Sequence, residues 1–158
     1  MRIFILLMPL LLLTSNARAE DRPNILFIYA DDWGWGDLGC HGHPHILTPN
    51  LDRLASEGTD FHQFTVCNPV CSPSRTAIVT GNYPARHGVH EHFASHQQNV
   101  DRGMADWLDP NVTLLPRLMK QAGYRTGHFG KWHLSGGAIE GAPLPEAYGY
   151  DDAAVWTG

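Results

Sequence analysis

Hydrophobic and polar positions along the chain alternate between two kinds of segment. Residues 25–30 (ILFIYA) form a continuous apolar run without period-two alternation, the pattern of a strand buried on both faces of a parallel sheet. The run stops at Asp31-Asp32, and carboxylates at the carboxyl end of such a strand stand where open α/β sheets place their ligands. Thr48-Pro49 then supplies an N-cap and a first-turn proline. Leu51, Leu54 and Ala55 follow at helical spacing and Gly58 ends the segment, so a helix is predicted over about 49–57. Residues 59–66, with Phe61 and Phe64 among polar neighbours, read as a strand.

The second half repeats the alternation. Residues 67–75 form a loop with two prolines that leads into the apolar stretch around Ile78 and Val79 and breaks at Gly81-Asn82. Pro73 favours the first turn of a helix, which puts Cys71 at or just before a helix N-terminus. Residues 84–111 show no clear period and carry His87, His90, His92 and His96, so they read as one long functional loop. Thr113 is placed to cap a helix with Leu114, Leu115, Leu118 and Met119 on its core side and Gly123 as terminator. A strand over 124–129 follows, ending before Lys131-Trp132-His133. This order predicts α/β layers around a mostly parallel sheet.

The first nineteen residues read as an address. Arg2 precedes an apolar run at 3–13, and Ala17-Arg18-Ala19 is a small-x-small cleavage site, so 1–19 is expected to be a signal peptide and the mature chain to be secreted or periplasmic. The run is shorter than the roughly 20 residues a membrane span requires, so no span is expected once the leader is removed. The 158 residues carry 11 Lys and Arg against 16 Asp and Glu; without Arg2 and Arg18 the balance is 9 against 16, a net of −7. That balance disfavours nucleic acid and anionic membrane surfaces as partners. Three cysteines, Cys40, Cys67 and Cys71, cannot all pair within one chain.

Three clusters could converge on one face of such a sheet: Asp31 with Asp32, the Cys71 to Arg75 loop, and Lys131 with His133. Adjacent aspartates in an extended chain point to opposite sides, so holding one ion with both requires a turn there, and hard carboxylate oxygens suit Ca²⁺ or Mg²⁺ better than Zn²⁺. Lys131 and His133, two apart, share a side if the chain is extended. With Arg75 about one helical turn from Cys71, the sum is an electropositive anion site containing a nucleophile candidate.

Cys71-Ser72-Pro73-Ser74-Arg75 matches the Cys-x-Pro-Ser-Arg signature of the formylglycine-dependent sulfatases. Residues 23–37 (PNILFIYADDWGWGD) resemble that family's first strand and metal-binding turn, 123–134 (GYRTGHFGKWHL) its second signature, and 143–151 (PLPEAYGYD) the stretch that follows. The resemblance implies an alkaline-phosphatase-like three-layer α/β sandwich, of which 20–158 would be the amino-terminal part. It implies hydrolysis of sulfate esters of small molecules or carbohydrates. A maturation enzyme would oxidise Cys71 to formylglycine, whose hydrate offers one hydroxyl to attack sulfur and a second whose proton loss expels sulfate. Asp31, Asp32 and the modified Cys71 would bind a divalent ion, usually Ca²⁺ in that family. Arg75 would hold the formylglycine, Lys131 would bind sulfate oxygens, and His133 would hydrogen-bond the diol or the sulfate.

Other readings stand beside this one. A similar anion site serves phosphate or phosphonate ester hydrolases of the same superfold. Because the family uses further metal ligands, Lys and His later in the chain, the 158 residues alone are expected to be inactive. His41, His43 and His45 alternate in a Gly/Pro-rich loop without the spacing of a structural zinc site, and Cys40 and Cys67 could pair in an oxidising compartment.

Overall fold

A computed structural model describes residues 22–157, which divide into two units, one ending at Trp33 and the other beginning at Gly34. The proposed signal peptide lies outside the described residues. In the first unit the run at 25–30 is not a strand. It has no regular secondary structure, and Ile25, Leu26, Phe27 and Ile28 are exposed, Leu26 by 85%. Apolar sequence supplies the tendency to be buried, but a strand needs ladder partners, and none pairs with this run among the described residues.

The second unit contains four helices: α1, Pro49–Glu57; α2, Cys71–Thr80; α3, His96–Asp101; and α4, Leu115–Gln121. Two strands, β1 (Gly127–Lys131) and β2 (Asp152–Trp156), pair in parallel from Gly127 with Asp152 to Lys131 with Trp156. Trp132 N–H continues the ladder by donating to the Trp156 carbonyl oxygen at 2.7 Å.

α1 has the predicted bounds, with Pro49 in its first turn and Gly58 at its end. α2 begins at Cys71 itself. The Asn68 side chain accepts from Val70 N–H just before it, and Gly81 closes it at φ 66°, a left-handed conformation that glycine adopts without a Cβ penalty. The N-cap of α4 lies one residue after the predicted cap Thr113, at the extended Leu114, with Pro116 in the first turn. β1 lies three residues later at its start than the predicted strand. Residues 59–66 have no strand, only a turn at 62–63 in otherwise irregular chain, and Phe61 and Phe64 are exposed.

The loop read at 84–111 is more ordered than its sequence suggested. A 3-10 turn occupies Pro84–His87, and α3 is introduced by Ser95, whose N–H and Oγ both approach Gln98 Oε1. The pattern Ser-x-x-Gln at 95–98 carried that signal. Behind these elements lies a core of Val79, Val89, Phe93, Met104, Leu108, Leu114, Trp132, Leu134 and Tyr148. α2, the segment after β1 and the 89–108 segment all contribute to it, so the core fixes these three segments relative to one another.

Candidate functional site

α2 presents its first turn to the interior: Ser72, Pro73, Ser74, Arg75 and Thr76 are buried, whereas Cys71 is half-exposed with a free thiol. Proline at 73 has no N–H, so the turn buries one fewer unsatisfied donor. Arg75, four residues after Cys71, lies on the same side of the helix. Its Nη1 donates to the main-chain carbonyl oxygen of Lys131 at 2.8 Å. His128 Nε2 donates to the same oxygen at 3.1 Å, so two side chains from different elements hold the end of β1.

Beyond Lys131 the chain leaves the strand. Trp132 is buried against Tyr148 and Tyr150 with edge-on ring contacts of 5.0 and 5.9 Å between centroids. His133 is buried and adopts φ 47°. The alternation that would place Lys131 and His133 on one side of an extended chain therefore ends at His133, and packing sets the imidazole's position instead. Positive φ at a non-glycine residue is strained backbone that the surrounding structure has to maintain. Here the segment is held by Leu108 N–H donating to Leu134 O at 2.9 Å and by Gly136 N–H donating to Asp106 O at 3.0 Å. A Cβ on Gly136 would collide with the Ala94 carbonyl oxygen, so glycine is required there for close backbone approach.

His133 Nε2 donates to the Phe93 carbonyl oxygen at 2.9 Å. A carbonyl cannot donate, so the bond requires the proton on Nε2 and leaves Nδ1 as a buried acceptor without a partner among the described residues. Desolvation lowers the His133 pKa below its ordinary 6.5. The Phe93 bond opposes that shift, and the charges of Lys131, His92 and Arg75 add to it. The His92 ring lies 6.2 Å from that of His133. The charges of Arg75 and Lys131 thus act on His133 where the first turn of α2, which begins at Cys71, meets the chain that leaves β1.

Asp31 and Asp32 belong to the other unit. Asp32 has φ 53°, so the chain turns at the pair. The turn falls on the aspartate itself, since neither Gly34 nor Gly36 has positive φ. Two carboxylates at a turn fit a hard divalent cation by donor chemistry, but they fall short of the six to eight oxygens Ca²⁺ takes. Among the described residues no group of three His, Cys, Asp or Glu side chains is placed to hold a metal.

His41, His43 and His96 have local partners, whereas His87 Nε2 is buried without one among the described residues. His41 joins the Trp35 carbonyl to Asp60, at 2.8 and 2.9 Å, and stacks on Trp35. His43 Nδ1 accepts from the backbone of His45 and Ile46. His96 Nδ1 meets Asp106 at 2.7 Å near solvent. Cys40 and Cys67 are free and exposed. A groove of about 620 Å³ lined by Lys120, Gly123, Tyr124, Arg125 and Asp151 includes none of the candidate residues.

The sequence reading missed Ser72, Phe93 and Asn99. Ser72 Oγ accepts from Phe93 N–H at 3.0 Å. Asn99, fully buried, binds both Ala94 N–H and Ala94 O and also Asp106. Only the Ser-x-x-Gln pattern before Asn99 hinted at an ordered segment there.

Residues 23–154 match the sulfatase family. N-acetylgalactosamine-6-sulfatase of Homo sapiens is 47% identical over 121 residues, covering 73% of this chain and 22% of the relative. Arylsulfatase A of Bos taurus is 43% identical over 140 residues, covering 89% of this chain and 26% of the relative. The chain therefore spans about a quarter of the length of these relatives. Among solved structures, one from work on glycosaminoglycan metabolism by Bacteroides thetaiotaomicron superposes with a TM-score of 0.71 at 34% identity, covering 85% of this chain and 28% of that one. Another, in complex with its substrate D-glucosamine-2-N,6-O-disulfate, gives 0.63 at 32%, covering 84% of this chain and 22% of that one. The parallel β1–β2 pair with its helices is accordingly part of an α/β, alkaline-phosphatase-like fold, and the chain belongs to the sulfatase family.

Proposed function

We propose that this chain carries the nucleophile-bearing part of a sulfuric ester hydrolase, exported to the periplasm or secreted, that acts on sulfated carbohydrates or small sulfated molecules. The observation that carries the reading is the Cys71-Ser72-Pro73-Ser74-Arg75 turn at the start of α2, tied through Arg75 to the Lys131 carbonyl at the end of β1. Relatives named for a sulfated amino sugar and a neighbour holding a disulfated glucosamine support the carbohydrate class. The leader pattern at 1–19 supports export.

In this reading Cys71 is the position converted to formylglycine, whose hydrate would supply the attacking hydroxyl. Asp31, Asp32 and that converted side chain would hold a divalent cation, Ca²⁺ or Mg²⁺, which would polarise a sulfate oxygen. The chain's own groups do the rest. Arg75 and Lys131 provide positive charge for an anion beside residue 71, and their fixed placement offsets charge that develops on the departing oxygens. His133, with its proton on Nε2, offers Nδ1 as an acceptor. It can therefore take a hydroxyl proton but cannot donate to a sulfate oxygen while neutral.

The test has two parts. The chain is produced with and without a formylglycine-generating enzyme and the peptide containing Cys71 is weighed; loss of the thiol mass in favour of the aldehyde is expected. Aryl sulfate and aryl phosphate esters are then compared as substrates for the longest natural form of the protein. An unmodified Cys71 where a control sulfatase is converted, or preferential cleavage of the phosphate ester, would overturn the proposal.

A further inference from the structure

The signature leaves the position after the cysteine open, yet here Ser72 is fully buried and its hydroxyl is engaged. Ser72 Oγ accepts from the Phe93 amide at 3.0 Å, and the carbonyl of the same residue accepts from His133 Nε2 at 2.9 Å. Phe93 is itself buried in the core, and Asn99 clamps the next residue by accepting from Ala94 N–H at 2.8 Å and donating to Ala94 O at 3.1 Å. The main chain at 93–94 is thus gripped on both sides. Ser72, on the first turn of α2, provides one grip 21 residues away in sequence, and His133 reads the result 40 residues away on the other side.

We infer that Ser72 is a positioning residue for His133, acting through the two ends of Phe93 to hold the imidazole in the Nε2–H tautomer with Nδ1 unprotonated. Three independent features point this way. The serine hydroxyl could have been left in solvent at a helix start but is buried. His133 keeps a left-handed backbone of φ 47°, which the ring's anchor on Phe93 helps to maintain. Its Nδ1 is buried without a partner among the described residues, an arrangement that persists only if the other nitrogen is firmly bonded. Removing the Ser72 acceptor leaves the Phe93 amide, part of the 92–93 peptide, buried and unsatisfied; rotation about the Phe93 backbone bonds then passes the displacement to the 93–94 peptide, which Asn99 is left to hold without Ser72. When the carbonyl tilts away from Nε2, the neutral ring has no reason to keep its proton there.

What this tautomer does for a reaction rests on the sulfatase reading above, but the link itself does not. It is tested by ring-¹⁵N NMR of the full chain labelled at histidine. In the unaltered chain His133 is expected to show a protonated, pyrrole-type Nε2 and an unprotonated, pyridine-type Nδ1. Ser72→Ala is expected to move both resonances toward a shared, averaged value, and Ser72→Thr, which keeps the hydroxyl, to restore the separation. Where the alanine variant lacks a dispersed spectrum, Ser72→Cys keeps the volume with a weaker acceptor and is expected to shift both resonances in the same sense. Unchanged His133 shifts in the alanine or cysteine variant, or a proton on Nδ1 in the unaltered chain, would overturn the inference. Conversion of Cys71, weighed in the same samples, reports separately on the sulfatase reading, because the open signature position predicts normal conversion in every Ser72 variant.

Discussion

Arg75 reaches across 56 residues of sequence to place Nη1 2.8 Å from the main-chain carbonyl oxygen of Lys131. A helix start and a strand end are thereby joined at one oxygen, which His128 also contacts. Arg75 as a residue is 7% exposed, so the bond forms where water competes poorly. A backbone acceptor thus holds the guanidinium at the end of β1.

Arg75→Lys is therefore expected to be a poor substitute. One ammonium cannot bond the Lys131 carbonyl and also face an anion with the planar fork of a guanidinium. Loss of a buried, charge-assisted bond costs about 1.5–3 kcal/mol. The change should appear as a lower urea midpoint together with reduced conversion of Cys71. A lysine variant with unaltered midpoint and conversion would refute this.

Replacing Asp31 or Asp32 by alanine, in a form of the protein that turns over sulfate esters, should lower kcat by about 100-fold or more, since metal stabilisation of developing charge is worth several kcal/mol. Cys71 conversion should persist, because that modification reads the local sequence around residue 71. A chelator should reproduce the loss, and added Ca²⁺ or Mg²⁺ should reverse it. Activity that survives both substitutions would remove the pair from the ion site.

Burial holds His128 and His133 below their ordinary value of 6.5. The unfolded chain then binds protons that the native state resists, so these two groups reduce stability as pH falls below 6.5, down to their lowered native values. Denaturation midpoints measured between pH 7.5 and 5 should decline, and His133→Gln should flatten that decline. His41 has the opposite sign, because its bonds to Asp60 and the Trp35 carbonyl raise its pKa, so His41→Gln should steepen the decline.

Asp151 provides an acid limb of its own. Its bonds to Lys120 and Thr126 pull its pKa down from 3.8 to about 2. Its contribution is present in full above 3.8 and is lost as pH falls from there through about 2. Asp151→Asn should lower the urea midpoint, followed by circular dichroism, more at pH 5 than at pH 3.

Gly136→Ala puts a Cβ into the Ala94 carbonyl. Overpacking of this kind costs about 1–3 kcal/mol, and because Ala94 follows Phe93 the strain should also reach His133. Thermal unfolding should show a lower Tm, and the His133 ring resonances should move with it. A neutral substitution would mean that the 94 and 136 backbones separate easily.

What the sequence determined on its own is what short range can encode. Thr48-Pro49 and Gly58 bound α1, Pro73 and Gly81 bound α2, and the Cys71 to Arg75 signature pointed to the family, because caps, proline restrictions and five-residue patterns are local. The apolar run at 25–30 was legible as buried-type sequence, but whether it becomes a strand depends on ladder partners that its own residues do not supply. β2 and α3 went unread for related reasons. β2 follows Asp151 with too few residues to show a period, and α3 is six residues long with little apolar face. Tertiary structure alone decided that His133 leaves the strand at φ 47°, that Arg75 anchors on the Lys131 carbonyl, and that Ser72 and His133 meet at Phe93. Those contacts join residues 21 to 56 positions apart, and their geometry is set by which side chains the core at Phe93, Trp132 and Tyr148 excludes from water, a property of the packed chain rather than of any segment within it.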